Sequence, residues 1–363
     1  MRFIISKLQL FRDIVRRELG RLLLDRNKPV PNDIHQSQSI LFLRNDAKLG
    51  DAIVSSAVIK KIRKYRPDIR IKVLTTESMA PLFKEHFGVD DVYIMSKRPS
   101  YSEMRAVCRQ VGDIDIVWTL NRAMKMKDIY FLKHLRSKFN VGIDNKVKLI
   151  NVNIEQQTSG KHFAHKFDYL ATLLRIDKPQ ESYMVPLVDE SLAHAKKILD
   201  SRKIEKYILF NPFGSGSERK LNETNIRKVV TTLADAYPDR KVVVLSSPET
   251  KNMLDDMNID CSNYVHFDQS RSIYDAIAAV YYADGVVSVD TSIVHIASGL
   301  GKAQVAIYRD DEENYNHWNP CSKHAKSLIV KGAVNNLSIK EFSLVVSKID
   351  KYMNINNDAD NLA

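Results

Sequence analysis

The sequence predicts an α/β protein built from two tandem, Rossmann-like, doubly wound domains that face each other across a cleft. Three observations carry that expectation. From Ser39 onward, short β-branched runs alternate with amphipathic helical stretches, the pattern of parallel βαβ units. The rhythm pauses at the loop around Tyr183–Pro186 and restarts, and 363 residues is about the length of two domains. Apolar residues make up 44% of the chain, enough for two ordinary cores, which excludes a disordered or collagen-like chain.

The elements follow in order. The first 24 residues read as a helix, because Ile4, Leu8, Phe11, Val15, Leu19 and Leu22 recur at three- and four-residue steps. Arg2, Lys7, Arg12, Arg16, Arg17 and Arg21 occupy its remaining surface. This basic amphipathic segment, residues 1–28, suits an anionic membrane surface, the main body, or both. Asn27, Pro29, Pro31 and Asn32 then break the pattern as a linker. In the first domain, residues 39–185, strands are predicted at Ile40–Leu43, Arg70–Thr75, Val92–Met95, Ile114–Leu120 and Phe139–Ile143. Predicted helices at Ala52–Tyr65, Ala80–His86, Ser102–Val111 and Asp128–Leu135 join them.

The second domain, residues 186–353, opens with a predicted helix at Ser191–Arg202. Its strands are expected at Tyr207–Asn211, Lys241–Ser246, Tyr264–Phe267, Gly285–Val289 and Gln304–Tyr308. Helices are expected at Glu223–Ala236, Glu249–Met257, Ser272–Tyr282, Thr291–Ser298 and Ile339–Met353, and the polar tail 354–363 is expected to fray. Ligands of open α/β sheets sit beyond the carboxyl ends of the strands, so the informative residues are those just after strands.

Charge is uneven along the chain. Residues 1–185 carry +14 and residues 186–363 carry −3, so one half holds all of the +11 excess. Within the basic half, residues 1–28 contribute +5 and residues 97–150 contribute +7. Such a field recruits polyanions: nucleic acid, an anionic membrane surface or a phosphorylated glycolipid. Cys108, Cys261 and Cys321 lie far apart and outside any CxxC pair, which argues against a disulfide framework or zinc site and for a cytoplasmic setting. The apolar stretch Ile273–Val289 is interrupted by Asp275 and Asp284, so no span is expected, and Lys7, Arg12 and Asp13 spoil a secretory signal.

Three loops carry the chemistry. After the first strand, Arg44–Ala52 includes Gly50, read as permitting a tight turn, and Asp51 at or beside the helix N-cap. Asp51 suits either capping or general-base removal of a proton from an acceptor hydroxyl. After the first strand of the second half, Gly214, Ser215, Gly216 and Ser217 precede Arg219 and Lys220, small residues and cations that make a phosphate cradle. Later, Asp290, Thr291, Ser292, Ile293 and His295 lie where a strand meets a helix N-terminus, a geometry for sugar hydroxyls or a diphosphate. There Asp290 can also cap, and His295 can also be a core histidine. Glu249, just beyond another strand, can reach a ribose.

Together, Leu49-Gly50-Asp51 before an apolar helix, the Asn211–Lys220 loop, and Asp290-Thr291-Ser292 with His295, Ala297, Gly299, Leu300 and Gly301 resemble glycosyltransferase family 9. This is the GT-B family of bacterial ADP-heptose:lipopolysaccharide heptosyltransferases, and the likeness runs from about residue 39 to residue 310. By that resemblance Asp51 is similar to the catalytic aspartate and Lys220 to the lysine that contacts the donor phosphates. The segment Asp290, Thr291, Ser292, Ile293 and His295 is similar to the donor-binding segment, with Glu249 near the ribose. Ser292 stands where the family usually has glycine, and Leu221-Asn222 replaces a common Trp-Pro pair.

The resemblance implies an inverting transfer of heptose from ADP-heptose to the lipopolysaccharide core, with fixed cations and helix dipoles stabilising the leaving diphosphate. No metal and no cofactor is then required. The basic residues Arg122, Lys125, Lys127, Lys133, Arg136 and Lys138 would bind the acceptor, at the anionic cytoplasmic face of the bacterial inner membrane. Two alternatives stay open. A member moving another nucleotide sugar, such as N-acetylglucosamine, would carry the same motifs. A non-catalytic nucleic-acid binder would explain the charge, although residues 97–150 lack interleaved aromatics in a stacking pattern and no nucleic acid is expected as a partner.

Overall fold

A strand buried on both faces needs an unbroken apolar run, and this chain supplies several. In Lys241–Leu245, the side chains of Val242, Val243 and Val244 are wholly buried. The computed structural model describes residues 2–353, with side chains from Phe11 onward. The expected frayed tail, 354–363, lies outside the described residues. The chain divides into two units, Met1–Glu181 and Ser182–Ala363.

The first unit begins with helix α1 (Arg2–Leu24), then β1 (Ser39–Arg44), α2 (Leu49–Tyr65), β2 (Arg70–Thr75), β3 (Asp91–Ile94) and α3 (Tyr101–Val111). It continues through β4 (Asp113–Thr119), α4 (Met126–His134), β5 (Arg136–Gly142), β6 (Val152–Asn153), α5 (Glu155–Thr158) and α6 (Phe163–Leu173). The strands form one parallel sheet in the order β3-β2-β1-β4-β5-β6.

In the second unit the order of elements is α7 (Asp189–Ser201), β7 (Tyr207–Asn211), α8 (Glu223–Ala236), β8 (Lys241–Leu245), α9 (Lys251–Asp256), β9 (Tyr264–Phe267) and α10 (Ile273–Tyr282). There follow β10 (Gly285–Val289), α11 (Ser292–Gly299), β11 (Ala303–Arg309), α12 (Glu312–Trp318), β12 (Ala325–Val330), α13 (Ile339–Val346) and α14 (Asp350–Met353). Its parallel sheet runs β12-β11-β10-β7-β8-β9.

Both sheets therefore have the Rossmann order 3-2-1-4-5-6, with the reversal between the first and fourth strands. That reversal opens a crevice at the carboxyl ends of β1 and β4 in one unit, and of β7 and β10 in the other. Asp51 follows β1, the Asn211–Lys220 loop follows β7, and Asp290 follows β10. All three motifs thus fall at switch points.

Besides the short elements β6, α5 and α12, for which the sequence pattern gives no expectation, four elements differ from those expected. The helix expected at Ala80–His86 is a π-helical turn over Leu82–His86 entered through Pro81. Helix α6 went unread because His162, an unusual residue for the task, caps it by accepting from the Ala164 N–H. The final helix breaks after Val346, where the Lys348 and Ile349 N–H groups donate to carbonyls three residues back and tighten the turn. Strand β12 also went unread, as a sheet-edge strand whose Ala325–Ser327 half is neither buried nor alternating. Among the described residues, no helix is long and apolar enough to cross a membrane.

Candidate functional site

In the first unit, β1 ends at Arg44 and the chain reaches α2 through four residues. Ala47 takes φ 53°, the left-handed region, which costs an L-residue roughly 1–2 kcal/mol. Gly50 lies inside the first turn of α2, so the sharp backbone step falls on Ala47 rather than on the glycine. The N-cap position is Lys48, whose side chain makes no capping hydrogen bond. Asp51 is the third helical residue, past the N-cap, and its carboxylate faces its own N–H, one of the free amides of the first turn.

Its surroundings suit a base. Arg44 Nη2 lies 3.3 Å from Asp46 and 3.8 Å from Asp51, and its guanidinium sits over the Phe167 ring, 5.4 Å from the centroid. Burial pushes the Asp51 carboxyl up to about 6 and outweighs the opposing pull of Arg44 and Lys48. Such a group is mostly ionised at neutral pH, yet more basic than an exposed aspartate. Arg44 was not singled out in the sequence; its signal was its place as the last residue of the first strand.

The six basic residues assigned to the acceptor do not form one patch. Arg122 and Lys125 lie in the loop after β4 and Lys127 in the first turn of α4, at the carboxyl edge of the sheet. Helix α4 then runs back for nine residues, about 13 Å, and carries Lys133 toward the opposite edge. Arg136 and Lys138 begin β5 there and are ion-paired with Asp113 (3.1 Å) and Asp115 (2.7 Å).

In the second unit, the loop after β7 is a tight excursion. Phe213 and Lys220 form an antiparallel bridge, the Gly214 N–H donates to the Arg219 carbonyl at 2.9 Å, and the Leu221 N–H donates to that of Pro212 at 3.0 Å. A Cβ at Gly214 would lie 2.7 Å from the Arg219 carbonyl oxygen, so only glycine fits. Because its amide is already engaged, Gly214 shapes the cradle rather than donating to an anion. Ser215, Gly216 and Ser217 are exposed, and among the described residues their amides meet no backbone acceptor. Gly216 turns the chain at φ 86°.

The two cations here have different duties. Arg219 is 3.2 Å from Asp290, which also accepts from Asn314 Nδ2 at 2.9 Å. Lys220 has no ion-pair partner among the described residues. Burial raises the Asp290 carboxyl, with Arg219 and Asn314 opposing. Thr291, not Asp290, is the N-cap of α11 and accepts from the Ile293 N–H. Asn211 Nδ2 donates to Ser288 Oγ and Thr291 Oγ1, both at 3.0 Å, locking the ends of β7 and β10 together.

Ser292 is half-buried at the start of α11. Ile293 and His295 are buried; the imidazole packs edge-on against Tyr183 and Trp318. Glu249 is exposed, in the Ser247–Thr250 turn that precedes α9 rather than in the helix. Sequence reading passed over His266. Its Nε2 is 2.8 Å from Ser246 Oγ and its Nδ1 2.8 Å from Asp255 Oδ1, fastening the same loop to β9 and α9.

The family model for Glycosyltransferase family 9 (heptosyltransferase) matches residues 104–340. The chain belongs to glycosyltransferase family 9. The matched region contains the Asn211–Lys220 loop and the Asp290–Gly301 segment, while Asp51 precedes it. A curated Escherichia coli (strain K12) relative, which carries the name lipopolysaccharide heptosyltransferase 4 as a provisional assignment, is 22% identical over 306 residues, 82% of each chain.

Solved structures agree on the fold. A family 9 glycosyl transferase from Veillonella parvula DSM 2008 aligns with TM-score 0.68 at 15% identity, covering 86% of this chain and 97% of that one. E. coli ADP-heptose lps heptosyltransferase II aligns at 0.66 and 14%, covering 86% and 98%. E. coli heptosyltransferase WaaC with ADP aligns at 0.65 and 16%, covering 86% and 99%. The fold is that of the GT-B heptosyltransferases. Where this family 9 chain has Leu221-Asn222, Leu221 is buried in the core and Asn222 caps α8 by accepting from the Asn225 N–H.

Proposed function

We propose that this enzyme is an inverting glycosyltransferase that moves heptose from ADP-heptose to a hydroxyl of the lipopolysaccharide core. The observation that carries the reading is Asp51: half-buried in the first turn of the helix that follows the first strand, and raised to about 6 by its burial. In this reading it takes the proton of the acceptor hydroxyl as that oxygen bonds to the anomeric carbon of the donor. The bond from the anomeric carbon to the diphosphate breaks, ADP leaves with the electron pair, and the centre inverts. Asp51 then returns its proton to solvent.

The donor side rests on the second unit. The Ser215, Gly216 and Ser217 amides, the Lys220 ammonium and the N-terminus of α11 at Thr291 and Ser292 would receive the diphosphate and the charge that grows on it. Glu249 would meet the ribose, and Asp290, Ile293 and His295 would hold the segment in shape. On the acceptor side, Arg122, Lys125 and Lys127 sit at the same sheet edge as Asp51, which suits a phosphorylated core. Lys133, Arg136 and Lys138 are left out of this role because they lie toward or at the opposite edge. The chemistry requires the base and the donor to meet during turnover, at the cytoplasmic membrane face where such an acceptor is anchored.

The test is transfer by the purified protein from a panel of nucleotide sugars to a core oligosaccharide, read by mass. One added heptose from ADP-heptose supports the reading. Transfer of N-acetylglucosamine from a UDP donor, without heptose transfer, overturns the donor assignment.

A further inference from the structure

Helix α1 is inverted relative to an ordinary surface helix. Phe11, Ile14, Val15, Leu19, Leu22 and Leu23 are all exposed, Phe11 at 67% and Leu22 at 75%. Of the side that meets the first unit, Leu24 alone among the described residues packs on its core, and the rest is polar or small. Arg17 donates to Asp144 at 2.9 Å and to the Met124 carbonyl, and Arg21 donates to the Lys146 carbonyl at 2.9 Å. Gly20 rests so close to α4 that an added Cβ would lie 2.9 Å from the Met126 Cα. The helix is therefore held in one orientation with its apolar arc outward. At 100° per residue that arc spans about half the circumference.

The flanks of the arc identify what covers it. Arg12 and Arg16 lie along one side, both exposed; Glu18, between Ile14 and Phe11, is paired with Arg21, and Lys125 stands beyond Asp13, 3.4 Å from it. A second copy of this surface would offer Arg16 no unpaired carboxylate, because Glu18 and Asp13 already pair with Arg21, Arg12 and Lys125. An anionic bilayer meets both demands at once, since acyl chains receive the apolar arc and headgroup phosphates receive the guanidinium groups.

We propose that the outward face of α1 docks the full-length protein on an anionic lipid bilayer. This deepens the membrane-face part of the proposed function by naming the docking element. Asp144 fixes the geometry, because it accepts both from Arg17 and from the Met124 N–H in the loop after β4. Docking through α1 therefore sets the lipid surface beside Arg122 and Lys125, and a lipid-anchored acceptor arrives at the edge of the sheet that carries Asp51.

The test is co-sedimentation of the full chain with vesicles of phosphatidylethanolamine and phosphatidylglycerol, against vesicles of phosphatidylcholine alone. Binding to the anionic vesicles, weakened by salt, is expected. The Phe11→Glu/Leu22→Glu variant should lose at least about tenfold in partitioning, and Arg12→Glu/Arg16→Glu should lose both binding and its salt dependence. Both variants keep the contacts to α4, so their circular dichroism should match the parent. Transfer to a soluble, lipid-free core acceptor should be unchanged, which separates failure of docking from failure of the catalytic reading. Absence of vesicle binding, equal binding by the apolar variant, or a dimer that this variant dissociates without any lipid binding would overturn the proposal.

Discussion

Replacing Asp51 by asparagine should make the enzyme nearly inactive and, at the same time, more stable. The carboxyl stands at 3.8 in the unfolded chain and at about 6 in the folded one. The folded state thus binds the proton more tightly, and the ionised group opposes folding by about 3 kcal/mol once both states have lost it. That penalty is absent below about pH 4, grows between pH 4 and 6, and is complete above. Asparagine keeps the shape without the charge. Arg44 loses one acidic neighbour but keeps Asp46 at 3.3 Å, so a net gain of about 1–3 kcal/mol is expected at pH 8. Removing a general base costs about 10²–10⁴-fold in rate. The assay is urea unfolding of both proteins at pH 8 and pH 4, beside initial rates of transfer. A variant less stable than the parent at pH 8, or a gain equally large at pH 4, would show that the ionised Asp51 carboxylate does not oppose folding.

Further expectations follow from the same geometry. The acid limb of kcat/KM should bend near pH 6 and fall about tenfold per pH unit below it, because the base must be ionised; a limb near pH 4 would point to an unperturbed carboxylate. Gly214→Ala should weaken ADP binding by at least about tenfold in calorimetry, since the new Cβ meets backbone 2.7 Å away and cannot be relieved by a side-chain rotation. Lys220→Ala should raise the donor KM or lower kcat with no change in melting temperature, because that ammonium has no ion-pair partner among the described residues. His266→Ala should raise the donor KM more than it lowers kcat, as the loop after β8 loses its tie to β9.

The sheets were legible in the sequence because a parallel strand is a short apolar run between helices, and Val242–Val244 or Val286–Val289 permit little else. Strand order then placed the motifs at switch points. Roles inside the site were less legible, because they depend on hydrogen bonds between residues far apart in the chain. Nothing local distinguishes Arg219 from Lys220, yet Asp290, 71 positions beyond Arg219, engages one and leaves the other. Likewise, Asp290 has the composition of a helix cap, but Thr291 takes that role and frees it to hold Arg219. Net charge marked residues 97–150 as one basic segment, whereas α4 separates its members along its own length. In α1 the apolar periodicity was read correctly, while which face would meet the body depended on Gly20 and Arg17 finding Met126 and Asp144.

The chemistry proposed for this enzyme turns on Asp51 serving as the base in heptose transfer from ADP-heptose. Its most direct test is a single reaction series analysed by mass spectrometry and by the anomeric configuration of the product: parent and Asp51→Asn, each with ADP-heptose and a lipopolysaccharide core acceptor. One added heptose with inverted configuration is expected for the parent, and a loss of about 10²–10⁴-fold in rate for the variant, with ADP affinity retained. Equal rates for the two proteins, or a product of retained configuration, would contradict that role for Asp51.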